Sequence, residues 1–384
     1  MRRKILIIAM MDSIHVGRWL EQFRDQEIDF IIFPSKKFRH IHPRIKQLID
    51  SDSRMNVAIY QGKIPHRIYG YIDFFFRVLP HKILKLNSRS LELKRFLSKN
   101  AFEFIHCLEI QGAGYLLLDA ISEKSSVDSK ITITNWGSDV YYFKNFPEHF
   151  EKIKSILAIA DFYSAECIRD YDLAKQLGFK GVSLPCIPNA GGFSLHNLSS
   201  NSRASSRRNI VVKTYGGTFG RGDLPIIAVG KILSEFQTFS AYFYSVTDDL
   251  LEMVKALVQE FPERVQFSPQ SAPIPSNELA SIFQNSRVYI GCSVSDGIST
   301  SFLESLVSGA YPIQTDSSCA SEWVTSGAIA SVIPLDLEIL NEELRRALTD
   351  DELVDRAQTL NRELSAELLD FEVIKSKALT FYKG

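Results

Sequence analysis

VYIGCSVSDGISTSFLESLVSGAYPIQT, Val288 to Thr315, is the stretch from which the fold is read. VYIGC (Val288–Cys292) is an apolar run of strand length, and YPIQT (Tyr311–Thr315) is a second. Between them a Gly/Ser/Thr turn opens a short helix, and Gly309 is a helix stop. Strand, polar loop, helix N-terminus, strand is the order that holds an anionic ligand at the carboxyl edge of a parallel sheet. Asp296 and Glu304 bracket the loop. The amides of Gly297, Ile298, Ser299, Thr300 and Ser301 would face the ligand. Glu304 would lie one turn in, on the face of Ser301 and Ser308, while Phe302, Leu303, Leu306 and Val307 turn to the core. The same letters allow a plainer reading. Ser301 to Glu304 is also a capping box, in which Glu304 serves only its own helix, and Asp296-Gly297 could be an ordinary turn.

Outward from this stretch the pattern repeats. KILIIAM (Lys4–Met10), a polar turn, a helix through Trp19 and a strand at Phe30–Phe33 make a βαβ start. FEFIHCL, KITITNW and FYSA supply further strands, with helices between them. The restart comes at NIVVK (Asn209–Lys213), followed by the Gly-rich loop TYGGTFGRGD and a helix. Residues 196–208, rich in Ser, Asn and Arg without periodicity, read as a linker. The expected division is 1–195, linker 196–208, 209–365, and a helical tail 366–384 packing back on the first half. Two α/β halves of this kind are two doubly wound, Rossmann-like domains facing each other across a deep cleft.

The 384 residues suit two cores rather than one. Apolar content of 45% and charged content of 23% are those of a globular protein, and no run approaches the roughly 18 apolar residues of a membrane span. The N-terminus lacks a small-residue cleavage site, so it reads as a mature, cytoplasmic start. Five scattered cysteines without a CxxC pair fit neither a disulfide framework nor a zinc site. The net charge of −1 hides an asymmetry: residues 1–100 carry 20 Lys+Arg against 9 Asp+Glu, and the rest 24 against 36. Residues 36–46 and 74–86 mix cations with large apolar side chains, which suits an anionic membrane surface. No nucleic-acid motif accompanies the basic face, so no nucleic-acid partner is expected.

In the second half Lys213 ends a strand and Arg221 follows in the Gly-rich loop. Amides at Gly216, Gly217, Gly220 and Gly222 could approach phosphate oxygens, with Lys213 a point charge and Arg221 a bidentate fork. No GK[ST] follows the glycines, so ATP hydrolysis is not indicated. In the first half, polar clusters sit at strand ends: Asp12-Ser13-His15, His106-Glu109 and Trp136-Gly137-Ser138-Asp139, with Asn189-Ala190-Gly191-Gly192 closing the half. There is no nucleophile elbow and no metal-ligand spacing.

These residues resemble the retaining glycosyltransferases of family 4, which have the GT-B architecture. Asp296-x7-Glu304 looks like the family's E-x7-E pair, and SGAYPIQTD with Glu322 looks like the stretch that follows it. SIHVGRW, IHCLEIQG, NWGSD, ADFYSAE and IPNAGGF add weaker likeness. The resemblance implies that Glu304 binds the nucleotide ribose and Asp296 the donor sugar. It further implies that Gly297 to Ser301, with Gly216 and Gly217, contact the donor, and that Lys213 and Arg221 hold the diphosphate. Asp139 and Ser138 match the family's H-G-S-D segment near the reacting sugar, where Trp136 stands in place of the His. His106 or His15 would then supply the imidazole. Asp296, Lys213, Arg221, Asp139 and His106 are therefore the catalytic candidates, and Ser13, His15, Trp136, Ser138 and Asn189 the acceptor-side ones.

The implied activity is metal-free, cofactor-free transfer of a sugar from a nucleotide-diphosphate donor, with retention, to a glycan or lipid-linked acceptor in surface polysaccharide synthesis, peripheral to the inner membrane face. A sugar-nucleotide epimerase or phosphorylase, or a non-catalytic carbohydrate or nucleic-acid binding protein, remain alternatives.

Overall fold

The fold comes from a computed structural model that describes residues 2–38, 40–51, 53–61, 88–121, 127–195 and 202–383. It divides into two compact units, 1–191 with 374–384 and 192–373.

The first unit is built on a parallel sheet of β1 Arg3–Ala9, β2 Ile28–Pro34, β3 Asn56–Ile59, β4 Phe104–Leu108, β5 Lys130–Thr134, β6 Phe162–Ser164 and β7 Val182–Ser183. Their spatial order is β3-β2-β1-β4-β5-β6-β7. Side chains alternate across it, as a strand buried on both faces requires. Ile5, Ile7 and Ala9 enter one core with Val16, Trp19 and Leu20 of the helix Ile14–Glu21 and with Phe23 just after it. Leu6 and Ile8 enter the other with Ile153, Ile156 and Leu157 of the helix Pro147–Ile159.

The second unit has β8 Asn209–Lys213, β9 Ser240–Val246, β10 Val265–Pro269, β11 Ser286–Gly291, β12 Tyr311–Thr315 and β13 Ser331–Ile333, again parallel, in the order β10-β9-β8-β11-β12-β13. In each sheet the order reverses beside its first strand, between β1 and β4 and between β8 and β11. At such a switch point the loops leave in opposite directions and open a crevice beyond the carboxyl ends.

The boundaries differ from those expected. Among residues 196–208, those from 196 to 201 lie outside the described residues. The rest is no free linker: Ser205 N and Oγ donate to the Asp355 carboxylate at 2.9 and 2.8 Å, and the Arg207 guanidinium donates to Ser286 O at 3.0 Å. The tail divides at Ile374 rather than at 366. Phe193 N donates to Leu369 O and Phe371 N to Phe193 O, which holds residues 369–371 in the second unit. From Ile374 onward the chain packs with the first: Ile374, Ala378, Phe381 and Tyr382 join the core beside Trp19. Within the basic third, Lys36 and Lys37 are exposed before the helix Pro43–Asp50. Residues 74–86 lie outside the described ones. Among the described residues no helix is long and apolar enough to cross a membrane. All five cysteines are free thiols.

Candidate functional site

In the second unit, β8 and β11 run in register so that Lys213 lies opposite Gly291, the last residue of each strand. The DGIST loop leaves β11 from that point, and its helix runs Thr300–Ser308 with Ser299 as N-cap. Ser299 makes no side-chain cap bond. Its hydroxyl instead lies 3.5 Å from Lys213 Nζ and 3.5 Å from the Tyr289 hydroxyl, which donates to Gln314 Oε1 at 3.2 Å. Lys213 also sits over the Tyr215 ring, 4.7 Å from its centroid. With the cap at Ser299, the capping-box reading of Ser301–Glu304 fails, because the position that could bond back is Phe302 and Glu304 lies two residues past it.

Both carboxylates belong to the same cluster. Burial pushes the Tyr215 hydroxyl up; Lys213 opposes that shift and Asp296 adds to it. Burial likewise raises Tyr289, with Asp296 among the further causes, and raises Tyr244, with Glu304 among them. One strand edge thus gathers a cation, a helix N-terminus and two half-buried carboxylates, suited to an anion flanked by hydroxyl groups. The helix is more buried than its pattern implied. Ser301, Ser305 and Ser308 are covered along with Phe302 and Leu303, and the Arg362 and Arg207 guanidiniums donate to Ser308 O at its C-terminus.

The Gly-rich loop corrects two expectations. The amides expected to meet phosphate already have partners. Gly216 N donates to Thr247 Oγ1 at 2.9 Å and Gly217 N to Asp249 Oδ2 at 3.2 Å; Gly220 N and Gly222 N donate to Gly216 O and Tyr215 O. The glycines serve close packing: a Cβ on Gly220 would stand 2.0 Å from Tyr215 O. Arg221 does form a fork, but on Asp223, with Nε and Nη2 each 2.9 Å from a carboxylate oxygen. That bond holds the Asp223 carboxyl below its ordinary range.

In the first unit, Ser13 caps the helix Ile14–Glu21, accepting from His15 N at 3.2 Å. His15 Nδ1 lies 3.0 Å from Asn189 O. A carbonyl only accepts, so Nδ1 carries the hydrogen, and in the neutral ring Nε2 carries the lone pair. The ring meets Trp136 edge-on at 5.3 Å between centroids. His15, Trp136 and Asn189 therefore come together, lining one small cavity. Ser138, half-buried, opens the short helix Ser138–Tyr141.

His106 is not a catalytic imidazole. It is fully buried on β4, Nδ1 lies 2.7 Å from the Tyr382 hydroxyl, Nε2 lies 2.7 Å from Thr134 Oγ1, and burial lowers its pKa to about 3. Asp139 is likewise turned inward. Its Oδ2 accepts from Ile110 N at 2.8 Å and Trp136 N at 2.9 Å, and burial, then the charge of Glu109, pushes the carboxyl well up. It shapes the WGSD loop rather than facing a substrate.

Two further carboxylates do similar work, Glu109 of the strand-end cluster His106-Glu109 and Glu166, which was not a site candidate. Glu109, at φ 87°, accepts from Gly112 N and Ala113 N at 2.7 and 2.6 Å. Glu166 accepts from Asn189 N at 2.8 Å and Gly137 N at 3.3 Å, tying two candidate loops together. The signal for Glu166 was its place just past a strand end, in ADFYSAE. Tyr289 and Gln314 lay inside apolar runs that read only as strands.

Residues 4–168 match the family described as glycosyl transferase 4-like. No curated protein matches the chain. Among solved structures the whole fold is similar to that of sucrose-phosphate synthase from Thermosynechococcus elongatus, with a TM-score of 0.71 at 15% identity over 100% of this chain and 98% of that one. It is similar to Anabaena HepE in complex with UDP and glucose, with a TM-score of 0.69 at 11% identity and full coverage of both chains. It is also similar to an α,α-trehalose-phosphate synthase (UDP-forming) from Burkholderia vietnamiensis, with a TM-score of 0.68 at 12% identity over 99% of each chain. The family match spans the first sheet as far as β6, fewer than half of the chain's residues, and the fold match spans both sheets, so the chain has a two-sheet α/β fold of the GT-B type whose first unit is similar to the glycosyl transferase 4-like family.

Proposed function

We propose that the chain transfers a sugar from a nucleotide-diphosphate donor, a UDP-sugar, to a hydroxyl of a glycan or lipid-linked saccharide, with retention of anomeric configuration. The observation that carries this reading is the convergence at the β8–β11 edge of Lys213, the Ser299-capped helix N-terminus, Asp296 and Glu304. Support for the base comes from HepE, which shares this fold and is described in complex with UDP and glucose.

The difficult event is breakage of the bond between the anomeric carbon and the diphosphate oxygen. Negative charge grows on the departing oxygen as the acceptor oxygen bonds to the carbon from the same face. The acceptor proton passes to the departing phosphate. Lys213 and the amides of Ile298 to Ser301 stabilise that charge where it develops, and the loss of one such donor typically costs about 3–4 kcal/mol of barrier. The reading assigns this task to protein groups and calls for no metal or cofactor. Glu304 takes the ribose hydroxyls. Asp296, one methylene shorter than Glu, takes hydroxyls of the transferred sugar. In the first unit, His15 beside Trp136 is the imidazole assigned to the acceptor. The basic residues around Lys36 and Lys37 suit an anionic membrane surface carrying the acceptor.

The test is calorimetric titration of UDP and UDP-glucose into wild type, Lys213→Ala and Glu304→Ala. Each substitution should weaken binding at least tenfold. Wild-type affinity in both variants would end the assignment.

A further inference from the structure

A serine at a helix N-cap ordinarily spends its hydroxyl oxygen on an amide two or three residues further on. Ser299 has the backbone of a cap, φ −61° and ψ 124°, yet makes no such bond. The helix ladder begins with Leu303 N, which donates to Ser299 O at 3.1 Å. The amides of Ser301 and Phe302 therefore lie before the ladder, without partners in their own helix. The Ser299 oxygen is turned elsewhere, 3.5 Å from Lys213 Nζ and 3.5 Å from the Tyr289 hydroxyl. Lys213 can only donate, so Ser299 accepts from it. Tyr289 gives its own proton to Gln314 Oε1 at 3.2 Å, which leaves it a lone pair for the Ser299 hydroxyl.

The sheet delivers Tyr289 to this place. Lys213 and Gln314 are the register partners of Gly291 on the two neighbouring strands, so the three share one face at the strand edge. Tyr289 lies two residues earlier on β11 and points to that same face. Its ring runs beneath position 291, where a Cβ would collide with the Tyr289 hydroxyl and with Gln314 Oε1. Glycine at 291 lets the two polar groups meet there. Tyr289, Gln314 and Ser299 are all buried.

We infer that Tyr289, anchored on Gln314, is a positioning residue of the donor site: it holds the Ser299 hydroxyl off its own helix and beside Lys213, and so keeps the Ser301 and Phe302 amides open to a diphosphate oxygen. That role rests on the donor reading of the β8–β11 edge, and Tyr289 acts through Ser299 rather than on the substrate. Without the tyrosine oxygen, Ser299 would turn back to cap the helix and compete with the ligand for those amides. A cap bond of ordinary strength corresponds to roughly fivefold in affinity.

The experiment titrates UDP calorimetrically into the full chain carrying Tyr289→Phe, Ser299→Gly or both, with urea unfolding of each variant beside it. Tyr289→Phe should weaken UDP about fivefold or more. Adding Ser299→Gly to it should restore most of that loss, because no hydroxyl is left to cap. A tyrosine that merely packs the core would leave the double variant as weak as Tyr289→Phe or weaker. Wild-type affinity in Tyr289→Phe, or no recovery in the double variant, would overturn the inference. Should Tyr289→Phe not fold, Ser299→Asn decides. Asparagine caps helices at least as well as serine, so this variant should bind UDP several-fold more weakly than Ser299→Gly, and equal affinities would refute the open amides that Tyr289 is said to protect. Failure of the wild type to bind UDP sinks the donor reading itself, whereas wild-type binding with an indifferent Tyr289 sinks the positioning role alone.

Discussion

Removing one oxygen from the C-terminal tail tests how the first unit is held together. The Tyr382 hydroxyl accepts from Trp19 Nε1 at 3.1 Å and lies 2.7 Å from His106 Nδ1. His106 Nε2 lies 2.7 Å from Thr134 Oγ1, so in the neutral ring one nitrogen donates and the other accepts, each with a hydroxyl partner. Tyr382→Phe keeps the ring and its contacts with Phe23, Phe30 and Phe104 but leaves the indole N–H and Nδ1 buried without partners. At about 1–3 kcal/mol for each orphaned group, the expected loss is about 3–4 kcal/mol. For a unit of this size that corresponds to a fall in Tm of roughly 10 °C. The assay is thermal unfolding by circular dichroism, at pH 7.5 and again at pH 5. The sign of the pH effect follows from His106. Burial lowers its folded pKa to about 3, whereas the unfolded ring titrates near the usual 6.5. Its contribution is therefore complete above about pH 6.5 and declines by about 1.4 kcal/mol per pH unit on acidification toward 3. A variant melting within about 2 °C of wild type would refute the assignment of the hydroxyl as the partner of these two groups.

Lys213→Ala should reduce turnover of a UDP-sugar by about 10²–10³-fold with the fold intact, measured as UDP release. Gly220→Ala, whose Cβ would meet Tyr215 O at 2.0 Å, should destabilise the second unit by about 2 kcal/mol or more, visible as a lower urea midpoint. Asp139→Asn keeps an oxygen for the Ile110 and Trp136 amides. Because the folded carboxyl of Asp139 is raised by burial and then by Glu109, wild-type stability falls as pH rises above the ordinary carboxylate range. The Asn variant should lose less on going from pH 5 to pH 8, and parallel melting curves would count against the buried carboxyl.

The alternation of apolar strands and helices was legible because parallel strands buried on both faces read as unbroken apolar runs, as ILIIA and NIVVK do. Short edge strands escaped notice. Val182–Ser183 and Ser331–Ile333 are too brief to show a period, and they exist through ladder bonds to β6 and β12. The DGISTSFLE loop was placed at a strand edge by its spacing. Its competing capping-box reading could be decided only by the φ/ψ of Ser299. His106 shows the reverse failure. A histidine at a strand end looks catalytic until the tail of the chain, 276 positions later, is found bonded to its ring. Arg221 was read as a phosphate fork, yet a carboxylate two residues away already occupies it.

Periodicity and residue type by themselves determined two parallel α/β halves, the carboxylate-bracketed loop and the cation that ends β8, because each of these depends on neighbours within about one helical turn or one strand. Which polar groups face a ligand and which are sealed inside was decided only by the tertiary structure. His106, Asp139 and the amides of Gly216 and Gly217 take partners from segments distant in the chain, and burial, more than residue type, fixes whether a side chain acts or merely holds.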